Sequence, residues 1–356
     1  MKKKKIAFFA GTLDIGGIER AIINYVNEID KNKYKVTLFL ENKCGVYLDE
    51  VNSDVEIIDF KLNNNKNVLL RKIFNAIRLV LFSIKYYHRY DFAANFKTTS
   101  KAGSILVKRF SLNNAYWFHG NYWSNKEEAR IFLKHFNILK YKKIVFVSHY
   151  SKKLYENVIS SNQELYVINN PTNYKEIIKK SEEELDLSEN RKILLNVGRH
   201  FENEKKLSLM LQCIKKLKDD GYVFLLWLLG NGPDTDMYKE MVKKLDIGDY
   251  VKFLGFSNNV YPYIKRSDAI LLSSKTEGNP VVFLEAKILN KTVISTDVAD
   301  ARSELDGFGI VTENNLEAFY EGVKNFLDNG YNIKNKFNPQ KYNKLIFEKL
   351  DEVIEK

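Results

Sequence analysis

Short apolar runs alternate with helically periodic stretches along the whole chain. KKIAFFAG reads as a buried strand, followed by a Gly-rich turn and a helix from Glu19 to about Ile29; YKVTLFLEN is a second strand and VEIIDFK a third. In the second half RKILLNVGR, VFLLWLLGNGP, YVKFLGF, DAILLSS and KTVISTD repeat the pattern. Unbroken apolar runs of this length fit strands covered on both faces, as in parallel sheets. Between them lie helical stretches such as LSLMLQCIKKLKDDG and DMYKEMVKKLDIG, each ending in the glycine that stops a helix. The β-then-α alternation in both halves predicts an α/β protein with two parallel-sheet domains.

The boundary is expected after INNPTN, Ile168–Asn173, where a polar stretch leads into the strand Lys192–Val197. This gives a first domain over 1–173, a second over 174–335, and a closing helix over 336–356. In that helix Leu345, Ile346, Leu350, Val353 and Ile354 recur at helical spacing and need a surface to dock on. Residues 68–90 form another amphipathic stretch, with Leu69, Leu70, Ile73, Phe74, Ile77, Leu81 and Ile84 in a stripe flanked by Arg71, Lys72, Arg78, Lys85 and Arg89. Two readings stand for it: packing on a sheet, or contact with an anionic membrane surface.

Composition narrows the class. A chain of 356 residues exceeds what one core usually reaches, and its 45% hydrophobic content is that of a globular protein. Two cysteines, Cys44 and Cys213, make no disulfide framework, and the five histidines show no metal-ligand spacing. The basic start is followed by too short an apolar run for a signal peptide, so a cytoplasmic protein is expected, with a peripheral place at the membrane as its extension. Charge is lopsided: residues 1–170 hold 28 Lys and Arg against 15 Asp and Glu, whereas the whole chain nets +11. The first half is thus suited to an anionic partner.

Three clusters carry chemistry. In SSKTEGNPVVFLEAKILNKTVIS a strand ends in a small polar loop, Glu277, Gly278, Asn279 and Pro280 follow, a helix begins near Val281, and Glu285 lies about one turn inside it. The unpaired amides at such a helix start suit a phosphate, with a carboxylate on either side to accept from sugar hydroxyls. In LLNVGRHFENEKKLSLML, Gly198 permits a tight turn, Arg199 projects from a strand end and Lys205 opens the next helix; the pair suits a diphosphate, with Lys206 an adjacent rival. In AGTLDIGGIERA, Gly16 and Gly17 precede a helix and permit close backbone approach. His119 in YWFHGNYW stands alone, open to a structural or a catalytic part, because imidazole titrates near neutrality. Tyr116, Trp117, Tyr122 and Trp123 around it suit sugar stacking or core packing equally.

The Glu–seven–Glu cluster, the GR…K strand end, the GG turn, FHG, VFVSHYSK, INNPTN and LLGNGP fall in the order in which glycosyltransferase family 4 carries them, and over essentially the whole chain the sequence resembles that family, closest to bacterial enzymes of surface polysaccharide synthesis. The resemblance implies the GT-B architecture: two Rossmann-like domains facing each other across a cleft, with the last helix crossing back to the first. It implies transfer of a sugar, with retention and no metal or other cofactor, from a nucleotide-diphosphate sugar, UDP-linked by preference, to a glycan or lipid-linked acceptor. Glu285 would then hold the ribose and Glu277 face the donor sugar. Arg199 and Lys205 would neutralise the diphosphate. Asn279–Val281 would contact phosphate or sugar, Gly16 and Gly17 would approach the phosphate, and His119 would sit near the reacting sugar. The spacing from Arg199 to Lys205 is one residue longer than the family's.

Three rival readings fare worse. Asp234 and Asp236 invite a metal, but they follow LLGNGP at a predicted helix start, where acids serve as caps. GNGPDT has Thr235 where a dinucleotide fingerprint needs its third glycine. A nucleic-acid binder should show a recognition helix, an RNA-binding aromatic signature or zinc spacing, and none is present. An epimerase or a phosphorylase on the same two-domain plan remains the alternative within the fold.

Overall fold

The computed structural model describes residues 2–14, 16–120, 122–123, 125–160, 162–187 and 189–356. They divide into two compact units, Met1–Thr172 together with Gln340–Lys356, and Asn173–Pro339.

The first unit is built on a seven-stranded parallel sheet. Its strands are β1 (Lys4–Ala10), β2 (Tyr34–Leu40), β3 (Glu56–Asp59), β4 (Phe92–Asn95), β5 (Asn114–Phe118), β6 (Lys143–Phe146) and β7 (Glu164–Val167), in the order β3-β2-β1-β4-β5-β6-β7. Strand side chains alternate between faces, so β1 feeds two cores: Ile6 and Phe8 enter one apolar cluster, Ala7 and Phe9 the other. That double burial is why the run is unbroken in the sequence. Three helices matter below: α1 (Gly17–Glu28), which starts two residues ahead of the expected Glu19, α2 (Val68–Lys85) and α3 (Lys101–Phe110).

The helix Pro339–Glu355 seals the first of these clusters with Ile346, Leu350, Val353 and Ile354. Leu345, expected on the same face, is instead 49% exposed. Lys143 fixes the end of this helix: its ammonium, buried and with its pKa lowered by desolvation, donates to the Val353 carbonyl at 2.8 Å and to Asn113 Oδ1 at 2.6 Å.

The second unit carries a six-stranded parallel sheet, β8 (Lys192–Val197), β9 (Phe224–Leu229), β10 (Val251–Gly255), β11 (Ala269–Leu272), β12 (Thr292–Thr296) and β13 (Gly309–Thr312), ordered β10-β9-β8-β11-β12-β13. It too has a core on each face, with Leu194, Leu226 and Leu228 on one and Ile193, Leu195 and Trp227 on the other. Both sheets are Rossmann-like. In each, strand order reverses beside the unit's first strand, at β1/β4 and at β8/β11. Such switch points open a crevice beyond the carboxyl ends of the two strands, where ligands of α/β sheets bind.

Candidate functional site

The β8/β11 switch point gathers most of the candidate residues of the second unit. Beyond β8, Arg199 is exposed, its guanidinium 5.5 Å from the Phe201 ring and without a carboxylate partner among the described residues. The chain then makes a one-turn helix, Glu202–Lys205, and Lys206 takes a left-handed conformation (φ 47°) before the helix Leu207–Asp219 begins. Lys205 therefore closes a short helix rather than opening the next one. The extra residue between Arg199 and the lysine is absorbed in this turn.

Beyond β11 the loop Ser273–Pro280 is tied to that turn. Ser273 Oγ donates to the carbonyls of Lys205 and Lys206, both at 3.1 Å, and the Lys275 amide donates to the Glu204 carbonyl at 2.7 Å. Lys205 Nζ reaches Glu277 Oε1 at 2.6 Å, and Ser274 Oγ donates to the same oxygen at 2.6 Å. The Ser274 carbonyl in turn accepts from Thr296 Oγ1 at 2.8 Å and Asn314 Nδ2 at 3.0 Å, so the ends of β12 and β13 brace the loop. Lys205, not Lys206, is the lysine the fold brings to Glu277.

The helix Val281–Ile288 follows, with Pro280 at its N-cap and no side chain capping it. The first amides of such a helix lack intrahelical acceptors and point beyond its end with the positive pole of the dipole. Gly278 and Pro280 are buried in the lead-in, and Glu285 is buried on the helix itself. Two acceptors here, Asn279 Oδ1 and Asn314 Oδ1, are buried without a hydrogen-bond partner among the described residues. Buried polar atoms of this kind are costly unless something donates to them. Asn314 carried no signal in the sequence; strand order alone brings it here.

LLGNGP has a structural part in the same place. Gly230 has φ 141°, and a Cβ on it would fall 1.9 Å from the Gly198 carbonyl oxygen; on Gly232 it would fall 2.2 Å from that of His200. These two glycines let the end of β9 press against the turn that carries Arg199. The close approach falls on them, since a Cβ on Gly198 would meet nothing within 4 Å. Asp234 is no cap for its own helix. Its carboxylate accepts from the Glu202 amide at 2.8 Å, fixing the one-turn helix, and Asp236 pairs with Lys239 at 3.3 Å.

In the first unit, Gly16 and Gly17 stand where α1 begins, beyond β1 at the β1/β4 switch point. α1 has no side-chain cap, and the Glu19 carboxylate folds back so closely that a Cβ on Gly16 would lie 2.3 Å from its Oε2. Burial raises the Glu19 pKa, opposed by its own backbone amide and by Lys97, whose ammonium is 3.8 Å away. Lys97, just beyond β4, was not singled out from the sequence; it is one lysine among many until the sheet order sets it opposite Glu19.

His119 follows β5 directly and is buried, its ring 4.3 Å from that of Phe96 and its Nε2 without a partner among the described residues. Burial, with the nearby Lys97 ammonium, lowers its pKa to about 3, against a backbone hydrogen bond at Phe96. The expected titration near neutrality is thereby corrected: His119 is a neutral imidazole. The aromatics beside it are core. Tyr116 and Trp117 are fully buried, Trp123 belongs to the same cluster as Tyr116, and Tyr122 packs on it.

Residues 177–344 match the family described as Glycosyl transferases group 1. Among curated proteins, the chain is 24% identical over 335 residues to an uncharacterized glycosyltransferase of Haemophilus influenzae, covering 92% of this chain and 91% of that one. It is 28% identical over 179 residues to N-acetylgalactosamine-N,N'-diacetylbacillosaminyl-diphospho-undecaprenol 4-alpha-N-acetylgalactosaminyltransferase of Campylobacter jejuni, 49% of this chain and 47% of that one. Among solved structures, Anabaena HepE in complex with UDP and glucose superposes with a TM-score of 0.75 at 16% identity, over 98% of this chain and 99% of that one. The fold is GT-B.

Proposed function

We propose that the chain, whose residues 177–344 match the glycosyl transferases group 1 family, is a glycosyltransferase of bacterial surface glycan synthesis that performs a retaining, metal-independent transfer from a UDP-sugar to a lipid-linked or growing glycan acceptor. The observation that carries the reading is the union of Lys205, Glu277 and an uncapped helix start at one switch point, beside Arg199, which has no carboxylate partner among the described residues. HepE holds UDP, and the Campylobacter relative is named for a diphospho-undecaprenol acceptor.

The chemistry follows from charge. Breaking the bond between the anomeric carbon and the phosphate oxygen leaves an oxocarbenium-like sugar and builds negative charge on the departing diphosphate. Fixed cations and amides aimed there lower the barrier without reorganising. Lys205 has three N–H donors, so it can hold Glu277 and a phosphate oxygen together. Arg199 offers a fork of donors to the other phosphate. The backbone at Asn279–Val281, where the uncapped helix starts, can contact the same anion. Glu277 sits to accept from the donor sugar and Glu285 from the ribose, while Asn279 Oδ1 and Asn314 Oδ1 are acceptors awaiting hydroxyl donors. The acceptor hydroxyl attacks the anomeric carbon, and its proton leaves with the diphosphate oxygen. Within the first unit, neutral His119 can exchange hydrogen bonds with a hydroxyl without adding charge.

The test is nucleotide release from UDP-, GDP- and ADP-sugars with lipid-linked acceptors, with the anomeric configuration of the product read by NMR. UDP-dependent transfer that is lost in Arg199→Ala and Glu285→Ala supports the reading. Turnover of donor without an acceptor would point to an epimerase instead, and release unchanged in both variants would overturn the site.

A further inference from the structure

We infer that α2 is an interfacial helix that lies along an anionic lipid surface. The inference does not depend on the donor chemistry above.

The helix is built the wrong way round for a core element. Leu69, Leu70, Ile73, Phe74, Ile77, Val80, Leu81 and Ile84 are all between 42% and 71% exposed, and α2 contains no buried residue. At 100° per residue these eight fall within an arc of about 140°. The side turned to the protein is narrow and partly polar. Asn75 exchanges hydrogen bonds with the backbone of Asn63, at 2.8 and 3.2 Å, Leu79 and Phe82 pack on the underlying cluster, and Arg78 donates to the Lys61 carbonyl. A helix serving only its own core would turn Ile73 and Ile77 inward and Asn75 out. Soluble monomers rarely leave so many large apolar side chains together in water.

Charge identifies what covers the face. α2 holds Arg71, Lys72, Arg78 and Lys85 and no acid; α3, packed beside it, holds Lys101, Lys108 and Arg109 and no acid. Across residues 61–126 there are twelve Lys and Arg against the single Asp91. Lys108 registers the crowding: burial and the neighbouring Lys140 and Arg109 bring its pKa down to about 8. A second copy of the chain would bring like charge against like, and an apolar protein partner would leave the cations unanswered. Anionic headgroups answer both features at once, apolar side chains entering the acyl boundary while lysine and arginine stay at headgroup level. No helix among the described residues is long and apolar enough to cross a membrane, so α2 lies on the surface.

The experiment is flotation of the full chain with vesicles of phosphatidylcholine alone or with 30% phosphatidylglycerol, at low and high salt. Wild type should bind the anionic vesicles at least tenfold more tightly, and salt should weaken binding. Ile77→Asp/Leu81→Asp should lose at least tenfold with unchanged circular dichroism and unchanged donor turnover; if that pair disturbs folding, Leu69→Ser/Ile84→Ser replaces it. Arg71→Glu/Lys72→Glu should lose anionic selectivity. Equal binding to both vesicles, variants binding like wild type, or a solution dimer that Ile77→Asp/Leu81→Asp turns into monomer would each overturn the inference. Loss of vesicle binding with transfer to soluble acceptors intact separates this surface from the active site.

Discussion

Lys205 and Glu277, 72 positions apart in the chain, meet at 2.6 Å where the carboxyl ends of β8 and β11 lie side by side. The pair distinguishes two adjacent lysines. Lys205→Ala should lower kcat by about 10²–10³, the usual cost of removing one group that stabilises developing negative charge. Lys206, left-handed at φ 47°, should accept glycine: Lys206→Gly keeps activity and raises stability by about 0.5–1 kcal/mol, since an L side chain is strained there. Steady-state kinetics and urea unfolding of the two variants check both outcomes.

Gly230 should tolerate no side chain. With φ 141° and a neighbouring carbonyl 1.9 Å from any Cβ, Gly230→Ala must push the end of β9 off the Arg199 turn. We expect a loss of about 1–3 kcal/mol, as for overpacked cores, together with weakened nucleotide binding. Gly248→Ala, where a Cβ would meet nothing within 4 Å, is the matched control and should change neither. Calorimetry with and without UDP separates the two effects.

The buried imidazole predicts a pH dependence. His119 has a folded pKa of about 3 against 6.5 in the unfolded chain, so between those values the unfolded state binds the extra proton. Its contribution to stability is whole above pH 6.5 and falls by about 1.4 kcal/mol per pH unit as pH drops toward 3. Thermal melts at pH 7 and pH 5 should show a smaller loss for His119→Gln than for wild type. An equal loss would mean that the imidazole is protonated in the folded protein.

The helix Pro339–Glu355 gives a paired test of packing. Leu350 is fully buried and Leu345 half-exposed on the same helix. Leu350→Ala should cost about 2–5 kcal/mol, and Leu345→Ala should stay within about 0.5 kcal/mol. Chemical denaturation of the two variants is enough to check this.

The thiols should count differently before and after unfolding. Cys44 is exposed, whereas Cys213 is buried with its pKa pushed up to about 12 by desolvation. A chromogenic disulfide reagent at pH 8 should find one thiol in the native protein and two in denaturant, because the thiolate is the reacting species.

The strands β1, β2 and β8–β12 were legible because a long apolar run such as IAFFA or FLLWLL shows no polar break, whereas β4–β7, only four or five residues each, were not read as strands. The Lys205 turn was half legible: residue types pointed to an anion, but the one-turn helix between Phe201 and Lys206 has no periodicity to read. Lys97 and Asn314 were invisible, since nothing local marks them, and Ser274 showed only as part of a small polar loop. They gain meaning only from strand order, which long-range pairing sets. The titration of His119 could not be read either, because it depends on an enclosure that the flanking sequence does not describe. For 68–90 the amphipathic stripe was plain, yet periodicity tells which residues share a side and not which way that side turns.

Residues 173–339 are an insertion in the first unit, which leaves off at Thr172 and is completed only from Gln340 onward. Translation therefore delivers a finished second sheet while the first still lacks the helix that covers Ile6, Phe8 and Tyr25. During that interval the earlier-made half stands open with an apolar surface, while the later-made half has everything it needs. Biosynthetic order and folding order are thus crossed: the unit that emerges first is the last to close.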